Sequence, residues 1–152
     1  ENEYEFSKLS LENVSEGIAY DVEKGTSVGP FDIQFLKTVH PVICYAMRIV
    51  ERATGQVLVY TGDTGYFAEL VDFSKDADIL LADVYFFKDK AKMPNHLSSV
   101  EAGEIAAQAN VKKLILTHLP QVGDLQVLRE EAQEEAGNIP VDLAQPHMKW
   151  NI

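Results

Sequence analysis

Four short apolar runs, separated by stretches long enough for helices, constrain this chain more than any other feature. Val57-Leu58-Val59-Tyr60, Ile79-Leu80-Leu81-Ala82, Leu114-Ile115-Leu116 and Val141 to Ala144 have the length and branched side chains of buried strands. Between them, Phe67 to Phe73 predicts a helical turn or two, and Ser98 to Asn110 a helix whose Ser98 and Glu101 have capping-box spacing. Asp124 to Ala136 predicts a further helix, stopped by Gly137-Asn138. Strands joined through helices imply parallel crossovers, with the helices covering the sheet.

Upstream, Phe31, Ile33 and Phe35 alternate with Asp32 and Gln34 before the run stops at Val39-His40-Pro41, which predicts another strand. Cys44 to Val50, followed by a turn over Glu51 to Gln56, predicts a hairpin into Val57. The expected fold class is therefore α/β, in the mixed α+β sense. Residues 1–30, punctuated by Gly17, Gly25, Gly29 and Pro30, are expected to be an irregular connecting segment, and residues 31–152 a sheet with covering helices. A chain of 152 residues suits one domain, which hides about two-thirds of its unfolded surface.

Composition narrows the function classes. No apolar run reaches membrane-spanning length, the first residues are acidic where a signal peptide would be basic, and the lone Cys44 allows no intrachain disulfide. A cytoplasmic protein without membrane partners is expected, with Cys44 as a small buried core residue. A net charge of −11 disfavours broad binding to polyanions, and Asp89 interrupts the densest basic cluster, Lys88, Lys90 and Lys92. That cluster is expected to be a solvated loop.

The chemistry collects where the apolar runs stop. His40, Asp63, Asp83 and His118 each stand at the end of an expected strand, and loops beyond the carboxyl ends of α/β strands converge above a rigid scaffold. Imidazoles with carboxylates favour borderline divalent ions such as zinc, and one carboxylate can bridge two of them. Asp63-Thr64-Gly65 has the form of an aspartic protease signature, but the expected helices conflict with that all-β fold. No P-loop and no G-x-S-x-G occurs, and Cys44 has no catalytic setting, so nucleoside-triphosphate, serine and cysteine chemistry drop out.

Four segments, taken in order, resemble the C-terminal half of metallo-β-lactamase superfamily hydrolases, especially the branch holding ribonuclease Z and related phosphodiesterases. They are His40 to Arg48, Tyr60-Thr-Gly-Asp-Thr64, Asn95-His-Leu-Ser-Ser-Val-Glu-Ala102 and Leu114-Ile-Leu-Thr-His118. The resemblance implies half of an αββα four-layer sandwich and a dinuclear metal centre. It makes His40 a ligand of the first metal, Asp63 the bridge and His118 a ligand of the second. It makes His96 the acid or transition-state stabiliser, and places Asp83 where the branch carries a glutamate that orients that histidine. Zinc is the expected metal, with manganese or iron accepted by the same donors.

The superfamily's H-x-H-x-D-H motif occurs nowhere in the chain, since its histidines stand only at positions 40, 96, 118 and 147. With Glu1 in place of an initiating methionine, this predicts a fragment whose parent hydrolyses a phosphodiester, a small ester or lactone, or RNA. His147 matches no ligand position and is expected at the surface. The competing expectation is a non-catalytic interaction module, in which a half-fold with an uncovered sheet face associates with another chain or forms a homodimer.

Overall fold

The computed structural model describes residues 19–90 and 93–149 of the chain. In chain order the elements are β1 (Thr26–Val28), β2 (Phe31–Lys37), β3 (Tyr45–Glu51), β4 (Val57–Tyr60), α1 (Glu69–Ser74) and β5 (Ile79–Phe86). They continue, after a 3₁₀ turn over Lys88–Lys90, with β6 (Leu97–Ser98), α2 (Ser99–Gln108), β7 (Leu114–Thr117), α3 (Leu125–Ala136) and β8 (Val141–Leu143). Eight strands form one sheet in the order β1-β2-β3-β4-β5-β7-β8, with β6 paired to the far end of β5. Strands β1 to β4 pair antiparallel, whereas β4, β5, β7 and β8 run parallel.

This is the expected mixed α/β layering, and the alternation along the strands explains it. Successive side chains point to opposite faces, so Leu80, Ala82 and Val84 of β5 share a face with Leu114 and Leu116 of β7. All five enter the core with Ala102, Ile105 and Ala106 of α2 and Leu128, Ala132 and Ala136 of α3. Fully burying such aliphatic side chains stabilises by about 1.5–3 kcal/mol each. The capping box at the start of α2 is formed: Ser98 Oγ accepts from the Glu101 N–H, and the Glu101 carboxylate accepts from the Ser98 N–H.

The opposite face of β1 to β4 carries no such cover among the described residues. Ile33, Ile49 and Leu58 line an open apolar groove of about 530 Å³ there, and Tyr20 lies on Phe35 with ring centroids 5.1 Å apart. No helix among the described residues is long and apolar enough to cross a membrane.

The structure departs from the sequence reading at four places. A strand, β1, lies inside the segment read as irregular connection; residues 1–18 of that segment are outside the described residues. Strand β5 does not stop at Ala82 but runs through Asp83 to Phe86, because it gains β6 and β7 as partners on that stretch. A second strand, β6, precedes α2. Cys44 is half-buried rather than in the core, since it flanks the open sheet face. Lys88 and Lys90 are exposed as expected, while Lys92 lies outside the described residues.

Helices α2 and α3 approach so closely that a Cβ at Gly103 would stand 2.4 Å from the Ala132 carbonyl oxygen and 2.7 Å from Glu135 Cβ. Glycine costs an isolated helix about 1 kcal/mol relative to alanine, yet here the backbone contact outweighs that preference. Gly103→Ala should lower stability by roughly 1–3 kcal/mol, read as a lower urea midpoint. An unchanged or higher midpoint would show that the helix contact is looser than described.

Candidate metal centre

Strand direction decides which side chains meet. Strand β2 is antiparallel to β3, and β3 to β4, so β2, β4, β5 and β7 all point their C-terminal ends to the same edge of the sheet. His40 follows β2, Asp63 follows β4 and His118 follows β7 directly. Register brings the rest together. Thr117 pairs with Asp83, which puts His118 beside that carboxylate, and Leu97 pairs with Val84, which delivers His96 to its other side.

Asp83 is 0% exposed and lies on the sheet face turned away from the helices. Its Oδ2 accepts hydrogen bonds from His96 Nδ1 at 2.7 Å and from the Thr64 N–H at 3.0 Å. Its Oδ1 accepts from His118 Nδ1 at 2.8 Å. An ionised carboxylate can only accept, so both imidazoles donate from Nδ1. Each neutral ring then turns an unprotonated Nε2 away from Asp83, without a hydrogen-bond partner among the described residues. A histidine ordered in this way by a carboxylate is prepared to ligate a metal through its other nitrogen.

The remaining candidates lie alongside. His118 Nδ1 is 3.7 Å from Asp63 Oδ1, and ring centroids are 4.9 Å apart for His96 and His118 and 5.5 Å apart for His40 and His96. The structure thus brings His40, Asp63, Asp83, His96 and His118 into one cluster and leaves His147 exposed at the far end of the chain. His40 Nδ1 lies 3.2 Å from the Val42 carbonyl oxygen. The Val42 N–H also meets that nitrogen, at 3.3 Å, so the Val42 contacts fit either tautomer of His40. Among the described residues no lysine or arginine pairs with Asp63 or Asp83. Burial holds the Tyr60 phenol above its usual range, and the charges of Asp63 and Asp83 add to the effect. A negative site without a resident cationic side chain suits a divalent ion.

Two donor sets are available. The ligating atoms of Asp83, His96 and His118 all lie within 4.8 Å of one another, and a cation held there through the two Nδ1 atoms would displace their protons and break both short hydrogen bonds. A set made of His40, Asp63 and the outward Nε2 of His118 would keep those bonds.

Several contributors had not been singled out in the sequence. Thr61 and Thr64 are fully buried. Thr61 Oγ accepts from the Asp83 N–H at 2.9 Å and donates to the Gly62 carbonyl, while Thr64 Oγ accepts from the Val39 N–H and donates to the Gly65 carbonyl. The Asp63 loop is therefore tied both to β5 and to the segment that carries His40. A Cβ at Gly65 would stand 2.7 Å from the Pro94 carbonyl oxygen, so glycine lets this loop meet the approach to His96. Tyr85 packs on both imidazoles, with centroids 5.6 Å from His96 and 5.7 Å from His118. Its position two residues beyond Asp83, on the same strand face, was the available signal. His118 itself has φ of 54°, a left-handed conformation that costs a non-glycine residue about 1–2 kcal/mol. Such conformations persist where surrounding contacts hold them.

Asp83→Asn keeps the shape but offers one acceptor oxygen to two imidazole donors. It should lower stability by about 1–3 kcal/mol in chemical denaturation at neutral pH. No loss would mean that the two histidines do not depend on this carboxylate.

Comparison with known proteins is specific. The family described as the beta-lactamase superfamily domain matches residues 7–119. The chain is 42% identical over 147 residues to the probable metallo-hydrolase YhfI of Bacillus subtilis, covering 96% of this chain and 59% of that protein. The crystal structure of the metallo-beta-lactamase fold protein YhfI superposes with a TM-score of 0.85 at 39% identity, covering 95% of this chain and 59% of the other. Ribonuclease Z of Archaeoglobus fulgidus is 41% identical over 93 residues, 58% of this chain and 30% of that protein. The chain thus spans less than two-thirds of these relatives.

Proposed function

This chain belongs to the metallo-β-lactamase superfamily, and from that premise we propose that it furnishes half of a dinuclear metallohydrolase centre that cleaves phosphodiesters. The observation carrying the reading is one buried carboxylate, Asp83, that orders His96 and His118 together beside Asp63. The ribonuclease Z likeness supports the phosphodiester class.

In this reading His40 and His118 would hold the metals through Nε2 and Asp63 would bridge them through its carboxylate, with zinc first and manganese or iron accepted by the same donors. The remaining ligands come from the part of the superfamily fold that this chain does not span. Bound metal supplies a water of near-neutral pKa and polarises the phosphoryl group. His96, protonated on both nitrogens at the start of this step, would give its Nε2 proton to the departing oxygen and be left as the neutral Nδ1–H ring that Asp83 holds in place. Thr61 and Thr64 keep the Asp63 loop at its distance from β5. Asp83 is in this account a positioning residue, because it acts through the two imidazoles.

Metal content and turnover separate these roles. In the protein containing this chain, His118→Ala should reduce bound zinc, whereas His96→Ala should retain it and lower kcat on bis(4-nitrophenyl) phosphate by about 10²–10⁴-fold. Undiminished zinc in His118→Ala, or loss of zinc in His96→Ala, would contradict the assignment.

The open face of β1 to β4 favours a second reading, a non-catalytic half-fold closed by a second copy. Light scattering combined with metal analysis decides between them: a metal-free homodimer supports the second reading, and a metal-binding protein the first.

A further inference from the structure

Beside the histidine cluster lies a cavity of about 370 Å³, walled by Tyr85, Phe86 and Phe87 on one side and by Pro120 and Val122 on the other. Its size falls in the range of ligand pockets, roughly 300–1,000 Å³. Tyr85 joins it to the metal centre. The Tyr85 ring contacts His96 and His118, yet 38% of the residue remains exposed. Phe86 also approaches His96, with centroids 6.2 Å apart.

The walls are held in place. A Cβ at Gly123 would stand 2.5 Å from the Phe87 ring, so the loop after His118 rests directly on Phe87. Glu131, on α3, accepts from the Lys88 N–H at 3.0 Å and from Ser99 Oγ at 2.6 Å, which anchors the 3₁₀ turn at the cavity rim. Lys90 also lines the cavity, but its ammonium is 4.0 Å from the Asp89 carboxylate and both are exposed, so charge recognition there is weak. What the cavity offers is an aromatic wall. Planar rings stack on such walls in offset or tilted arrangements.

We propose that this cavity is a subsite for a planar aromatic ring carried by the leaving alcohol of a phosphodiester. The inference rests on the metallohydrolase reading for its orientation: the departing oxygen faces His96, and the group attached to that oxygen then lies over Tyr85. An aliphatic leaving group would leave the Tyr85, Phe86 and Phe87 surfaces wet and forfeit that contact. The subsite therefore selects the leaving side of the substrate, while the metal centre handles the phosphate that all substrates share.

Phenyl phosphate and methyl phosphate, titrated into the protein in zinc-containing buffer and followed by calorimetry or ligand-observed NMR, test this without turnover. Phenyl phosphate should bind about tenfold more tightly. Tyr85→Ala should bring the two ligands within about twofold of each other, and Tyr85→Phe should restore the preference. Val122 is 84% exposed, so Val122→Glu leaves folding intact while placing a carboxylate at the mouth of the cavity, and it should weaken phenyl phosphate selectively. Equal affinities in the unmodified protein, or a preference that survives both Tyr85→Ala and Val122→Glu, would overturn the subsite. Hydrolysis of bis(4-nitrophenyl) phosphate, measured in parallel, keeps the two ideas apart. Turnover without an aromatic preference defeats the subsite alone, whereas an aromatic preference without turnover defeats the hydrolase reading and leaves an aromatic phosphate-binding site.

Discussion

A single buried carboxylate organises this molecule's chemistry. Asp83 is cut off from water and is held by three donors, the His96 and His118 rings and the Thr64 N–H. A buried charge without partners would cost several kcal/mol, so the surrounding segments can take up this arrangement only together. Strand β5 supplies the carboxylate, β6 and β7 deliver the imidazoles through their register, and the Asp63 loop supplies the amide. The consequence is chemical as much as structural, because occupying both Nδ1 positions leaves each ring its Nε2 on the side away from Asp83.

The scaffold around Asp83 spends its small residues on proximity. Gly65 lets the Asp63 loop touch the segment before His96, Gly103 brings α3 onto α2, and Gly123 sets the loop after His118 against Phe87. Each close approach shortens the path between the helical core and the histidine edge. Glu131 extends the same connection by tying α3 to the starts of α2 and of the 3₁₀ turn. The histidine cluster and the aromatic cavity thus share one support. The left-handed backbone at His118 is the local strain that this support sustains.

Much of this was legible in the residue order. Long periodic or continuous apolar runs mark β4, β5, β7, α2 and α3, since burial of one face or of both leaves a clear pattern. The strands β1 and β6 span only Thr26–Val28 and Leu97–Ser98, too short for any period to show, and they exist because neighbouring strands offer pairing. The end of β5 was placed too early because Asp83 looks like a strand terminator, and only the partners on both sides make a charged residue tolerable inside the strand. The convergence of His40, Asp63 and His118 follows from strand direction and is readable, whereas that of His96 depends on the pairing of β6 with β5 and is implied in the sequence only by the family resemblance. The roles of Thr61, Thr64 and Tyr85 were not, because buried hydroxyl contacts and ring packing depend on register, which a linear sequence does not state.

On the proposed reading, Asp83 fixes both imidazoles as Nδ1–H donors and thereby reserves His118 Nε2 for metal. Two-bond ¹H–¹⁵N correlation spectra of the histidine rings, recorded at alkaline pH and during addition of zinc, address it directly. Nδ1-protonated rings are expected for His96 and His118 before zinc, and a zinc-dependent shift of His118 Nε2 with its Nδ1 proton retained. An Nε2-protonated His118, or zinc that displaces the Nδ1 proton, would contradict it.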